Sequence, residues 1–123
     1  MFTLAKEVVH VHLWEGQTEV LSFIGKAIST SCKISYQEQG KIVTLLHEKN
    51  IVTMIRKHPD YQMKFVFQQG QITNGIYMFP KESSKIYLQV KTNVLEWEND
   101  RVIIKYHIEE TKKNYTFQIE IKR

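Results

Sequence analysis

The stretches RVIIKYHIE, residues 101–109, and YTFQIEIK, residues 115–122, decide the fold of this chain. Apolar and polar residues alternate through both, and a period of two places alternate side chains on opposite faces of a β-strand. The short polar segment between them predicts an antiparallel hairpin with one buried and one exposed face. The side chains predicted to be buried are Val102, Ile104, Tyr106, Ile108, Tyr115, Phe117, Ile119 and Ile121.

Similar segments fill the rest of the chain, each bounded by turn residues such as Gly16 or Asn50. The predicted strands are Lys6–Trp14, Thr18–Lys26, Ser31–Glu38, Ile42–Glu48, Ile51–Lys57, Tyr61–Gln68, Ile72–Phe79, Lys85–Glu98 and the two of the last hairpin. Strands this short and this tightly joined are antiparallel neighbours. We therefore predict an all-β fold, a closed up-and-down barrel of about 8 to 10 strands, because closure removes exposed edges. A two-sheet sandwich is the alternative, since its pattern is nearly the same.

One predicted strand changes its apolar phase partway along. Ile86, Leu88 and Val90 are at even positions, whereas Leu95 and Trp97 are at odd positions. A β-bulge inserts one extra residue into a strand and shifts this alternation. The sequence therefore predicts a bulge near residue 93.

Length and composition bound the class of protein. A chain of 123 residues, 42% hydrophobic and 24% charged, is the size of one domain, which we expect to span residues 1–123. The net charge of +4 comes from basic and acidic residues spread along the chain, so nucleic acid is an unlikely partner. One cysteine, no apolar run long enough to span a bilayer, and no secretion signal at the start favour a cytoplasmic protein without membrane contact.

The ordered set of motifs from residue 34 onward resembles the YwiB-like family of small bacterial proteins. The matching pieces are Ile34-Ser35-Tyr36-Gln37-Glu38, Val52-x-x-x-Arg56, Phe65-Val66-Phe67-x-x-Gly70, Gly75-x-Tyr77, Pro80, Leu88-x-Val90-x-Thr92 and Val102-x-Ile104-x-Tyr106. The resemblance implies a barrel similar to that of lipocalins and other calycins, with an interior cavity. It implies no biochemical activity, because none is established for the family. His58, Phe79 and the Ser83-Ser84 pair depart from the family pattern.

Arg56 is the first candidate functional residue. If the even positions of its strand face inward, its guanidinium lies inside the barrel, where a charge must be paired or hydrogen-bonded. Two partners are possible within that reading: protein groups, with Glu38 preferred, or a bound carboxylate or phosphate, which the planar guanidinium suits. An Arg56 that faces solvent is the third alternative. The hydroxyl groups that could complete its hydrogen bonds belong to Tyr36, Tyr77, Thr92 and Tyr106.

Aromatic side chains predicted to face inward either line a ligand cavity or fill a slim barrel completely. The candidate ligand-binding residues are Arg56, Tyr36, Glu38, Met54, Phe65, Phe67, Tyr77, Thr92 and Tyr106. We expect a non-enzymatic barrel that binds a small, partly apolar molecule, either neutral or anionic, without a cofactor. The alternative is a surface module for nucleic acid or an acidic protein. The sequence predicts no oligomeric state.

Other reactive side chains carry weaker patterns. His10 and His12 lie two apart on one strand face, as metal ligands can, yet no shared motif joins them to a third ligand, and we predict that they are exterior. Cys32 is predicted to face inward with Ile34 and Tyr36 as a small apolar side chain. Trp14 and Trp97 lie near predicted strand ends, where an indole can cover a barrel mouth with its N–H in water, but such a position is usually one of packing. No catalytic motif is present, so we predict no catalytic or metal-binding residues.

Overall fold

The alternating segments form ten strands in the computed structural model, which describes residues 5–122 and, among side chains, those from Glu7 onward. The strands are β1 (Ala5–Glu15), β2 (Thr18–Ser29), β3 (Lys33–Glu38), β4 (Lys41–Glu48), β5 (Ile51–His58), β6 (Tyr61–Gln68), β7 (Ile72–Phe79), β8 (Ser84–Trp97), β9 (Arg101–Ile108) and β10 (Lys113–Lys122). A 3₁₀ turn, Pro80–Glu82, joins β7 to β8. None of the described residues forms a helix that is long and apolar enough to cross a membrane.

Each strand pairs antiparallel with its neighbours in the chain, and β1 pairs with β10 to close the barrel. The predicted closed up-and-down barrel is therefore confirmed, and the sandwich alternative is wrong. Strand β2 runs three residues further than predicted, to Ser29, and β10 begins two residues earlier, at Lys113.

The interior is filled by the side chains that the alternation assigns to it. Val102, Ile104, Ile119 and Phe117 of the last hairpin are 0–1% exposed. Facing strands complete the same apolar core with Val9, Val11, Val43, Leu45, Val52, Phe67 and Val90, each fully buried. The barrel is thus a packed core of layered side chains rather than a wide pore.

Strand β8 carries the predicted bulge. Thr92 pairs with Tyr106 and Val94 pairs with Lys105, so residue 93 is the extra residue. The bulge keeps Val90 and Thr92 buried while Leu95, at an odd position, packs against the core. A second irregularity separates Leu13 and Trp14 of β1, where β2 advances from Leu21 to Glu19.

Two positional predictions from alternation are wrong. Cys32 is exposed, because β3 begins two residues later than predicted, at Lys33, and Cys32 lies in the preceding bend. Ile86 is 50% exposed near the start of β8. Alternation applies only inside a strand that neighbours cover on both sides. Cys32 lies outside β3, and Ile86 lies in the part of β8 that pairs with β7 but not yet with β9.

The barrel has two different ends. The β1–β2, β3–β4, β5–β6, β7–β8 and β9–β10 turns lie at one end, which we call the turn end. The other four connections between consecutive strands lie at the opposite end. Trp97 also lies at this opposite end, which we call the Trp97 end; there its Nε1 donates to the Ser31 carbonyl oxygen at 3.1 Å and its ring stacks on His47 with 4.9 Å between centroids. The indole N–H is therefore hydrogen-bonded to protein, and Trp97 packs at this end of the barrel. Trp97 joins β8 to the β2–β3 bend across this end.

Candidate functional site

Arg56 points into the barrel. Its cross-strand partners are Val43 on β4 and Met63 on β6, and directly opposite residues in an antiparallel pair share one face of the sheet. Val43 is 0% and Met63 2% exposed, so that shared face is the interior. Arg56 is two residues from the end of β5, which places its partly exposed side chain near the turn end.

Three tyrosines surround the guanidinium. The positive charge of Arg56 acts on the hydroxyls of Tyr36, Tyr77 and Tyr106 and lowers the pKa of each, but burial has the larger effect and raises all three above the usual value of 10.0. All three hydroxyls are therefore protonated at neutral pH. A protonated phenol beside a guanidinium can donate a hydrogen bond to an anion.

Arg56 does not form the ion pair with Glu38 that the sequence predicted. None of the described residues hydrogen-bonds to the guanidinium, and Arg56 Nε is buried without a partner among them. Glu38 is 4% exposed, yet its Oε2 also has no hydrogen-bond partner within residues 5–122. Its charge acts on Tyr36, where it opposes the effect of Arg56. The two charges thus flank Tyr36 without neutralising each other by contact.

Two buried hydroxyl oxygens share this condition. Tyr36 Oη and Thr92 Oγ1 have no hydrogen-bond partner within the described part of the chain. Their residues are 3% and 0% exposed. Buried polar groups are nearly always hydrogen-bonded, and each exception marks a stored cost or a place for another partner. Four unpartnered polar atoms on inward-facing residues, including those of Arg56 and Glu38, are therefore an unusual feature of this core.

A cavity of about 110 Å³ lies beside Arg56 in the interior. Its walls come from six strands and are mostly apolar or aromatic: Leu13, Met54, Arg56, Met63, Phe65, Tyr77, Tyr106, Ile108, Tyr115 and Phe117. Sites for drug-sized ligands measure roughly 300 to 1,000 Å³. The space is therefore too small for a long-chain amphiphile and suits a compact molecule.

The structure brings most of the predicted site residues together. Met54, Arg56, Phe65, Tyr77 and Tyr106 line this cavity. Phe67 packs behind it, with its ring centroid 4.9 Å from that of Tyr106. The remaining three residues do not line it. Tyr36 is close enough to both Arg56 and Glu38 for each charge to act on its hydroxyl. Thr92 is buried opposite Tyr106 on the neighbouring strand.

Alternation alone missed part of the wall. Tyr115, whose ring stacks on Tyr106 at 5.3 Å, was predicted to face inward but not to reach the site. Leu13 of β1 and Ile108 of β9 also line the cavity. All three lie at the turn end of their strands, next to the end of β5 that carries Arg56. Position along the strand, in addition to its inward phase, was the signal that would have found them.

His10 and His12 are on the outer face, as predicted. The rings are 3.9 Å apart, His10 bonds with the Ser22 hydroxyl at 3.2 Å, and His12 Nδ1 lies 2.8 Å from Glu19 Oε1. Within residues 5–122, no group of three or more His, Cys, Asp and Glu side chains is arranged to hold a metal ion.

Comparisons with known proteins give a family and a fold. The chain matches the family model of a domain of unknown function, DUF1934, over residues 8–121. No curated protein sequence matches it. The crystal structure of the ywiB protein from Bacillus subtilis is similar in fold, with a TM-score of 0.61 and 15% sequence identity over 96% of this chain and 91% of that one. The chain therefore belongs to the DUF1934 family of YwiB-like proteins.

Proposed function

We propose that this protein binds a compact organic acid or inorganic oxyanion inside the barrel, with Arg56 as the anchor. The single observation that carries the proposal is a guanidinium that faces the interior and has no hydrogen-bond partner among the described residues. Leaving the buried Nε–H of this group unsatisfied is costly, and a carboxylate or phosphate matches the planar donors of the guanidinium. The proposed role is binding, not catalysis.

The surrounding groups support an anionic rather than a neutral ligand. Tyr77 and Tyr106 line the cavity beside Arg56 and are protonated, so their hydroxyls can donate to the same oxyanion. Glu38 does not line the cavity, so its carboxylate does not compete with the ligand for the donors of Tyr77 and Tyr106 there. The space of about 110 Å³ limits the remainder of the molecule to a short, partly apolar portion against Met54 and Phe65.

The Trp97 end is bridged by protein contacts, whereas the cavity lies toward the turn end. We therefore propose that the ligand enters the barrel at the turn end. An exposed cysteine is best preserved in a reducing compartment, and the exposure of Cys32 supports a cytoplasmic location as part of the same proposal.

The proposal is tested by titrating ¹⁵N-labelled protein with acetate, phosphate and chloride while the backbone amide resonances of the cavity residues Met54, Tyr77 and Tyr106, which are present in every variant, are followed by NMR. We expect saturable shifts with acetate or phosphate, and an affinity at least about tenfold lower in Arg56→Met, which corresponds to about 1.4 kcal/mol. Arg101→Met is the matched control, because Arg101 is engaged with Glu98 on the outer surface. Unsaturable shifts, or equal affinity in the folded Arg56→Met variant, would refute anchoring by Arg56.

The outer surface of strands β5 to β8 supports a second candidate function. Strands β5, β6 and β7, and β8 as far as Leu95, contain no Asp or Glu. Their exposed lysines, which we call the lysine face, are Lys57, Lys64, Lys85 and Lys91, and Tyr87 beside them is 66% exposed. Basic residues around an exposed aromatic ring suit an anionic polymer such as single-stranded nucleic acid. Binding of a labelled oligonucleotide that weakens steeply with salt, unchanged in Arg56→Met, would favour this candidate.

A further inference from the structure

Strand β2 has an edge that is uncovered over part of its length by any strand among residues 5–122. It pairs with β1 from Thr18 to Ser29, but with β3 only from Ala27 to Ser29. Beyond that point β3 ends at Glu38 and turns into β4, while β2 continues. The wall of the barrel is therefore forked between β2 and β3.

The free backbone groups of this edge can be assigned. The Thr30 N–H donates to the Lys33 carbonyl oxygen at 2.8 Å, on the β3 side of β2. Because backbone groups alternate sides with a period of two, Ser22 and Ile24 direct their N–H and C=O groups to the same side, as Lys26 does its N–H. The Lys26 C=O is engaged by the pairing of Ala27 with Tyr36, but no strand of the described chain pairs with Ser22 or Ile24 there. Such a row of unpaired groups is a template for another strand.

The side chains around the edge are apolar where water meets them. Ile24 is 67%, Val20 49% and Ile28 42% exposed on β2, and Ile42 on β4 is 51% exposed. A groove of about 330 Å³ lies at the fork and is lined in part by Lys26, Ile28 and Ile42. A strand added to β2 would hydrogen-bond to the edge and place alternate side chains over this groove.

We propose that the occupant of this edge is the β2 strand of a second copy, paired antiparallel to form a two-fold dimer. The charges on the segment are self-complementary: Glu19 lies near one end and Lys26 near the other, so antiparallel pairing brings each Lys26 toward the partner copy's acidic end. Ile24 lies between them and meets the apolar segment of the other strand. An isologous contact of this kind satisfies both edges at once and closes.

Two features limit the assembly to a dimer. The irregularity between Leu21 and Glu19 ends the regular part of β2 on one side, and the pairing of Ala27 with Tyr36 ends the free edge on the other. Only about five residues are available, which is too few to template an extended stack. The dimer is independent of the ligand site, because the edge lies outside the cavity around Arg56.

Sedimentation equilibrium over a dilution series tests the proposal. We expect a monomer–dimer equilibrium whose dissociation constant rises at least about tenfold in Ile24→Pro and in Ile24→Lys. Proline at 24 removes an N–H that faces the open edge and leaves the hydrogen bonds to β1, which come from the odd-numbered residues. Ile72→Lys is the matched control, since Ile72 is 58% exposed on β7, and we expect it to dimerise like the wild type.

Hydrogen exchange on the wild type gives a readout that needs no variant to fold. The amides of Ser22, Ile24 and Lys26 should be protected at high protein concentration and exchange faster on dilution. A protein that stays monomeric, or a dimer whose concentration-dependent protection lies on other strands, would overturn the proposal. A heterologous peptide strand on the same edge would appear as protection only when that peptide is added, and would equally overturn self-pairing.

Discussion

At the scale of single residues, the core combines tight packing with polar groups that lack protein partners. Gly75 shows the packing: a Cβ built there would lie 2.7 Å from the Phe65 ring, and Val90 is close behind. Tyr36 shows the polar exception, because its hydroxyl is buried beside Arg56 without a hydrogen-bond partner in the described chain. The core is thus tightly packed, and some of its buried polar groups are free to bind a partner from outside the described chain.

The tyrosines predict how stability depends on alkaline pH. Burial raises the pKa of Tyr36, Tyr77 and Tyr106 above the unfolded value of about 10. The folded state therefore holds these protons more tightly, so their contribution to stability is complete below pH of about 10 and is lost as the pH rises above it. Urea unfolding at a series of alkaline pH values should show the free energy of unfolding falling from that point.

The variant Tyr36→Phe isolates one of these groups. It removes an ionisable hydroxyl that has no hydrogen-bond partner in the described chain, so we expect a small effect at neutral pH and a shallower loss above pH of about 10. Tyr87→Phe is the control, since its hydroxyl belongs to a residue 66% exposed. An identical alkaline slope in wild type and Tyr36→Phe would contradict the assignment.

At the scale of elements, the two-residue hairpin turns decide the register. Lys49 and Asn50, between β4 and β5, both have positive φ, 51° and 65°. This left-handed pair matches a type I′ turn, for which Asn-Gly is the preferred sequence. The Pro59–Asp60 turn between β5 and β6 has no such requirement, because neither residue has a positive φ.

The turn between β4 and β5 can therefore be made more stable by substitution. The double substitution Lys49→Asn with Asn50→Gly should raise the free energy of unfolding by about 0.5 to 2 kcal/mol, because it relieves the strain of non-glycine residues at positive φ. Chemical denaturation measures the change. Asp60→Gly is the matched control and should stabilise nothing; an equal gain at both turns would mean that the effect comes from the unfolded chain and not from φ.

Elements also show how far the sequence could be interpreted. Alternation predicted all ten strands, the barrel and the bulge at residue 93, because each strand is covered on one face and wet on the other. It placed Cys32 wrongly, since no local signal fixed the start of β3 at Lys33. It also predicted the interior position of Arg56 but not its missing partner, because the distance between Arg56 and Glu38 depends on the stagger of strands around the barrel.

At the scale of the whole molecule, size and pairing limit what the barrel can do. Aromatic rings at the centre, with Phe65, Tyr77 and Tyr106 edge to face at 5.8 and 6.3 Å, reduce the cavity to about 110 Å³. The sequence left open whether these rings would line or fill the interior. The orientation of the rings decides that they fill most of the interior and line the small cavity that remains. The alternation of apolar and polar residues does not encode that orientation.

The closure of the barrel makes the chain a ring in space. Val8 pairs with Lys122, so the first and last described strands are neighbours, and every other pairing joins consecutive strands. A circular permutant with a short glycine-serine linker joining the original ends, and new ends opened between Lys49 and Asn50, should fold with wild-type circular dichroism and cooperative unfolding. Opening the chain inside β9, after Ile104, should abolish folding, since Ile104 is fully buried. Because the strands form a closed ring, new chain ends at other exposed turns should be tolerated in the same way.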